Sequence, residues 1–184
     1  YKTLADILSP HHDCIKLVVY EAGPTGYSLA RILRSAGIKV AIVAPGKTPL
    51  APGRESKSDR VDAKKLAEYS AKKLLQAVSI PTESQEADRQ VLRLRDQLLG
   101  KRKRIKNQIK GFLLQYGIAE PHGLNRWTKL SIMSLKNMLL RPQLQFCLGV
   151  MLDELEHLDD QIHKTTEELG KIINQVRHSA KIKL

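Results

Sequence analysis

Three carboxylates carry the most chemistry in this sequence. Glu21 closes the apolar run Ile15–Tyr20, and Asp59 and Asp62 follow a stretch rich in glycine and proline, Ala44 to Gly53. Phosphodiester cleavage asks a protein for hard oxygen ligands around Mg²⁺ or Mn²⁺, set so that the ion meets both the phosphate and the attacking oxygen. Asp59 and Asp62 are three residues apart, so a helix points them from one face. Glu21 leaves its strand at the carboxyl end, the edge at which open α/β sheets place ligands. Each acid also has an ordinary reading. Asp59, or Ser58 before it, suits a helix N-cap, an acid in the first turn suits the helix macrodipole, and a lone glutamate at a strand end is commonly surface. Spacing alone leaves both readings open.

The elements that must position these acids lie in the first eighty residues. Leu4–Leu8 reads as a helix end stopped by Ser9-Pro10, and Ile15–Tyr20 as a short buried strand. Thr25 is placed to cap a helix carrying Leu29, Ile32 and Leu33 and ending at Gly37, before a second strand over Ile38–Val43. Strand, helix and strand so closely joined imply parallel pairing through a right-handed crossover. Residues 44–57 hold three prolines and two glycines and exclude regular structure. A helix then runs from Ser58 to about Leu75, with Gln76–Ile80 as one more strand before Pro81.

The second half has a different period. Val91, Leu98, Ile105 and Phe112, with Leu94 between, recur every seven residues; so do Leu148, Leu155, Ile162, Leu169 and Val176, supported by Met151, Leu158 and Ile172. Sustained heptads predict long helices packed along a narrow seam, as an antiparallel hairpin or a dimer built from it. The first helix is basic and includes Lys101, Arg102, Lys103, Arg104, Lys106 and Lys110, whereas the start of the second is acidic. The basic run reads as phosphate-contacting, or else as a solvated face paired with the acidic helix.

Composition bounds the partners. Lys+Arg of 31 against Asp+Glu of 19 gives a formal charge of +12 in 184 residues, which favours nucleic acid or another acidic surface. Eight aromatic residues are too few for a base-stacking platform, so backbone contacts should dominate. Cys14 and Cys147 lie far apart and match no metal spacing, which argues against disulfide stapling and structural zinc and fits a reducing cytoplasm. His11-His12 reads as surface. No apolar run approaches the roughly 20 residues of a membrane span. Gly23-Pro24-Thr25-Gly26 lacks both nucleotide-loop patterns and reads as a tight turn that orients Glu21. A nucleotide-binding α/β domain is the rival reading of that turn. Arg54 and Lys57 stand ready to hold a scissile phosphate or simply to balance the acids.

The run from Tyr20 to Tyr27, the strand ending Val43-Ala44-Pro45 and the run from Pro52 to Ala63 together resemble the DEDD-type transposases, a family that includes the Piv-type DNA invertases. Two motifs carry the likeness: E-A-x-x-x-G-Y after a strand, and K-S-D-x-x-D-A at a helix start some forty residues on. The resemblance implies a partial RNase H-like (RuvC-like) catalytic domain over residues 1–81, and a helical coiled-coil hairpin and dimerisation region over 82–184 with a connector at 117–141. It implies that Glu21, Asp59 and Asp62 hold Mg²⁺ or Mn²⁺ for DNA strand cleavage and exchange, that the coiled coil joins two copies or more, and that some members use a guiding RNA. The family's first aspartate belongs on an opening strand upstream of Glu21, where this chain offers only Asp6 and Asp13. The expectation is therefore a chain that starts after that aspartate, lacks the family's C-terminal serine domain and does not cleave DNA alone. The competing expectation is a non-catalytic nucleic-acid-binding or assembly protein that uses the basic helix.

Overall fold

The computed structural model describes residues 2–44 and 58–181, with side chains over 4–44 and 58–175. The chain divides into two compact units, Tyr1–Thr82 and Glu83–Leu184. In the first unit, helix α1 (Lys2–Leu8) and a 3₁₀ turn (Ser9–Cys14) lead into strand β1 (Val18–Glu21). Helix α2 (Ser28–Ser35), strand β2 (Val40–Val43) and helix α3 (Asp59–Ala71) follow. β1 and β2 pair in parallel, from Val18 with Val40 to Glu21 with Val43. α2 makes the crossover between them and buries Ala30 and Leu33 with Ile38, Val40 and Ile42, while Leu8, Ile15, Tyr20 and Ile80 pack around this core.

Four boundaries differ from those read in the sequence. α2 begins at Ser28 rather than at a Thr25 cap. Gly26, at φ 60°, closes a turn by donating its N–H to the Gly23 carbonyl at 3.1 Å, and the Ser28 hydroxyl donates to the Thr25 carbonyl at 3.3 Å. The second strand is shorter than Ile38–Val43, because Ile38 still belongs to the α2 exit and gives its N–H to the Leu33 carbonyl. Gly37 makes that exit possible with φ 81°; a Cβ there would stand 3.0 Å from His12 Nε2. α3 stops at Ala71, four residues short of Leu75. Lys73 takes the left-handed conformation (φ 57°) usually left to glycine, and the Leu74 N–H closes on the Tyr69 carbonyl at 2.9 Å. The expected strand over Gln76–Ile80 is a single antiparallel bridge between Val43 and Ala77. Pro81 follows closely, and its carbonyl accepts from Arg31 rather than from a ladder.

The second unit is a helical hairpin. Helix α4 (Glu83–Gln115) and helix α6 (Pro142–Lys181) are joined through a 3₁₀ turn (Leu124–Arg126) and helix α5 (Lys129–Lys136). Arg95 Nε donates to Thr166 Oγ1 at 2.9 Å, and Arg102 Nη1 donates to Asp159 Oδ1 at 3.0 Å. The second contact lies seven residues further along α4 and seven back along α6, so the helices are antiparallel and in heptad register. Leu98, Ile105, Ile109 and Leu113 of α4 pack in one core with Leu148, Leu152, Leu155, Leu158 and Ile162 of α6, and Leu124 and Leu135 close it at the connector.

This seam departs from strict heptads. Leu98, Ile105, Leu148, Leu155 and Ile162 are buried as the period predicts, but Phe112 is only partly buried, Leu94 is exposed, and Ile109, Leu113 and Leu152 fill the core instead. A straight helix turns every 3.6 residues, not 3.5, so the buried stripe drifts by roughly 20° per heptad. Gly100 and Gly111 lie within α4 with nothing within 4 Å of where a Cβ would be. Each costs the helix about 1 kcal/mol relative to alanine. Among the described residues no helix is long and apolar enough to cross a membrane.

Adjacent leucines test the drift. Leu113 is fully buried and Leu114 is 83% exposed. Leu113→Ala should cost about 2–5 kcal/mol in urea unfolding, and Leu114→Ala no more than about 0.5 kcal/mol. Equal losses would place the seam elsewhere.

Candidate functional site

Glu21 is the last residue of β1 and is exposed. The chain beyond it is held firmly. The Ala22 N–H continues the ladder to the Val43 carbonyl at 2.8 Å, and the Tyr20 hydroxyl donates to the Gly26 carbonyl at 3.4 Å across the turn. The glycines of Gly23–Gly26 thus shape a turn pinned by a tyrosine, with Glu21 at its mouth.

Asp59 and Asp62 stand in the first turn of α3. The cap of that helix is Ser58: it is extended (φ −143°, ψ 149°), and its side chain accepts the Val61 N–H at 3.4 Å. Capping is therefore done by the serine, and both aspartates project from one exposed turn. Among the described residues neither has an ion pair. Their charges lie beside the positive end of the α3 dipole, where carboxylates are favoured.

The structure places Asp59 and Asp62 in one helical turn and Glu21 at the end of a strand. Among the described residues no three His, Cys, Asp or Glu side chains gather as a metal-holding group. α3 packs on β1, with Ala63, Ala67 and Ser70 lining a cleft against Ile15, Leu17 and Val19. The α3-side residues that share a cleft with Val19 and Val43, near the strand ends, are Ser70 and Lys73. As donors, the carboxylates suit a hard divalent cation in their oxygen chemistry. Arg54 and Lys57 lie outside the described residues.

The basic run on α4 separates into two sets. Arg102, Lys106 and Lys110 recur every four residues, are half-buried and face the rest of the hairpin. Arg102 pairs with Asp159, Lys110 Nζ lies 3.2 Å from Glu120, and Lys106 Nζ sits 5.0 Å above the Trp127 ring. Partial burial pushes the Lys106 ammonium below its ordinary pKa, repulsion from Arg102 adds to this, and Asp159 opposes it. Lys101, Lys103 and Arg104 are exposed and have no ion pair among the described residues. Among the described residues, Arg102 is the one of the six that makes an ion pair with the acidic helix α6. Four of its other acids lie beside basic side chains: Asp160 by Lys164, Glu167 by His163, Glu168 by Lys171, and Glu156 by Lys136 of α5. The bond from Lys164 holds the Asp160 carboxyl below its usual range.

Two features escaped the sequence reading. The Lys106–Trp127 contact joins residues 21 positions apart, and it depends on Trp127 adopting a left-handed φ of 52°. Nothing in the local sequence marks that conformation. Ser131 is fully buried as part of the α5 cap, its backbone N–H donating to Thr128 Oγ1 and its hydroxyl to the Thr128 carbonyl.

Comparison with known proteins bears on all of this. Residues 1–118 match a family model of IS110-type DEDD proteins, described as "Transposase". A putative transposase, y4qE, of Sinorhizobium fredii is 39% identical over 109 residues, covering 59% of this chain and 28% of that protein. The transposase for insertion sequence element IS1533 of Leptospira borgpetersenii is 38% identical over 110 residues, covering 59% and 32%. The transposase for IS1328 of Yersinia enterocolitica is 28% identical over 167 residues, covering 90% and 48%. The chain thus spans less than half the length of these relatives.

The division of labour at the start of α3 is measurable. Ser58→Ala should cost about 1 kcal/mol and speed amide exchange in the first turn. Asp59→Ala should leave the cap in place and cost only about 0.3–1 kcal/mol, through the lost dipole interaction. A larger loss for Asp59→Ala than for Ser58→Ala would make Asp59 the cap.

Proposed function

The chain belongs to the DEDD transposases, and from that membership we propose that it provides metal-dependent DNA strand cleavage and exchange within the complete protein. In this reading residues 1–81 form part of an RNase H-like catalytic domain. Residues 82–184, with the connector 117–141, form a coiled coil through which two copies meet. Pairing of copies suits a reaction that must act on two DNA strands. DNA is the partner the charge of +12 favours, and α4 carries its footprint.

The observation that carries the reading is the first turn of α3. Two aspartates there are released from capping by Ser58 and unpaired among the described residues of a strongly basic chain. Together with Glu21 they are the residues that would hold Mg²⁺ or Mn²⁺. Such an ion, when bound, stabilises charge on a phosphodiester and favours deprotonation of the attacking oxygen. The chain's own residues do the positioning. Ser58 fixes the start of α3, and the bond from Tyr20 to Gly26 fixes the turn beside Glu21.

A second reading, that of a non-catalytic assembly or nucleic-acid-binding protein, draws on the exposed cations of α4, Lys101, Lys103 and Arg104, which need no metal. Calorimetric titration with Mn²⁺ decides between them. Wild type should bind at least tenfold more tightly than Asp59→Ala/Asp62→Ala, with unchanged circular dichroism. Equal affinities would sink the metal reading.

A further inference from the structure

The outward face of α4 has a composition that the hairpin itself does not explain. Gly100, Arg104, Asn107 and Gly111 follow one another at steps of four, three and four residues, so they form one stripe. All four are exposed and lie away from the buried stripe of Leu98, Ile105, Ile109 and Leu113. Lys101 flanks this stripe on one side and Lys103 on the other, both exposed. No acidic residue occurs in α4 beyond Asp96.

The glycines are informative because they pack against nothing among the described residues. Glycine is among the poorest helix formers, and a long helix gains nothing internally from two of them. Gly149 and Gly170 on α6 are equally open, but the cation beside Gly170, Lys171, is already paired with Glu168. On α4 the open glycines coincide with three cations that have no ion pair among the described residues. A ridge that is bare at its two ends, polar at its centre and positive at both flanks complements a groove bordered by two lines of negative charge.

We propose that this face of α4 lies in the major groove of duplex DNA, with Lys101 and Lys103 on the two bordering phosphate backbones and Arg104 and Asn107 turned to the base edges. The dimensions agree: the major groove is roughly 12 Å wide, and a helix with its side chains is about 10–12 Å across. Arginine and asparagine are the side chains that read guanine and adenine edges there in bidentate fashion. Gly100 and Gly111 let the helix backbone seat deeply. Arg102, Lys106 and Lys110 are excluded from the contact, since Asp159, Trp127 and Glu120 hold them on the hairpin side. The inference rests on the reading of the chain as DNA-acting and names which cations do that work.

The test is fluorescence anisotropy of the full chain with a random-sequence duplex oligonucleotide over a series of salt concentrations. Lys101→Gln/Lys103→Gln/Arg104→Gln should weaken binding at least tenfold and flatten the log–log salt slope by about 1.8, for two phosphate contacts at roughly 0.9 each. Arg102→Gln/Lys106→Gln/Lys110→Gln, checked for folding by circular dichroism, should change the slope by less than about one phosphate's worth. Gly100→Leu/Gly111→Leu should raise the melting temperature yet weaken duplex binding at least tenfold. Equal slope changes from the two triple variants would overturn the inference. So would a glycine variant that binds as well as wild type, or tighter binding of single-stranded RNA through the same three residues. Absence of any DNA binding by wild type would instead remove the DNA-acting reading itself.

Discussion

Parallel pairing of two four-residue strands is the constraint on which the first unit depends. Strands that run the same way cannot be joined by a tight turn, so the chain must cross over, and α2 is the crossover. Its burial of Ala30 and Leu33 against Val40 and Ile42 supplies the core that so short a sheet cannot make alone. The same geometry puts Glu21 at the carboxyl end of β1, level with Val43, and obliges the chain to turn sharply over Gly23–Gly26. Position at a strand end, more than any local preference, makes that glutamate available for chemistry.

Much of this was legible in the sequence, for physical reasons. Strand, helix and strand announced themselves because β-branched runs and helical spacing differ in period. Gly37 marked a helix end because only glycine accepts a φ of 81° without strain, and with His12 packed so near. The end of α3 was hidden because Lys73 takes a left-handed conformation with no glycine to advertise it. The hairpin was visible as heptads, while the replacement of Phe112 by Ile109 and Leu113 was not. Heptad counting assumes a supercoil, and the true stripe follows the drift of a straighter helix.

The candidate sites were legible by residue type and less so by arrangement. The sequence marks Asp59 and Asp62 as neighbours on a helix, because separation by three residues is a local property. The gathering of Glu21 with them is a tertiary property, which spacing cannot encode. The basic run shows the same limit. Six cations look equivalent in one dimension, but their partners, Asp159, Glu120 and Trp127, lie 10 to 57 residues away. Folding sorts the six into a half that holds the hairpin together and a half that faces outward.

The polar contacts along the α4–α6 seam have a mechanical consequence. Were α6 to slide by one heptad in one direction, Arg102 would meet Leu152; in the other, Arg95 would meet Ile173. Either shift sets a charge against an apolar side chain and leaves one polar pairing, Arg95 with Asp159 or Arg102 with Thr166, in place of the present two. The two helices are therefore latched against sliding, and their common length is fixed. With 33 residues in α4 at about 1.5 Å each, the hairpin is a stiff gauge of roughly 50 Å. Whatever is attached at its two ends is kept at a set distance, about one and a half turns of a DNA duplex at roughly 34 Å per turn.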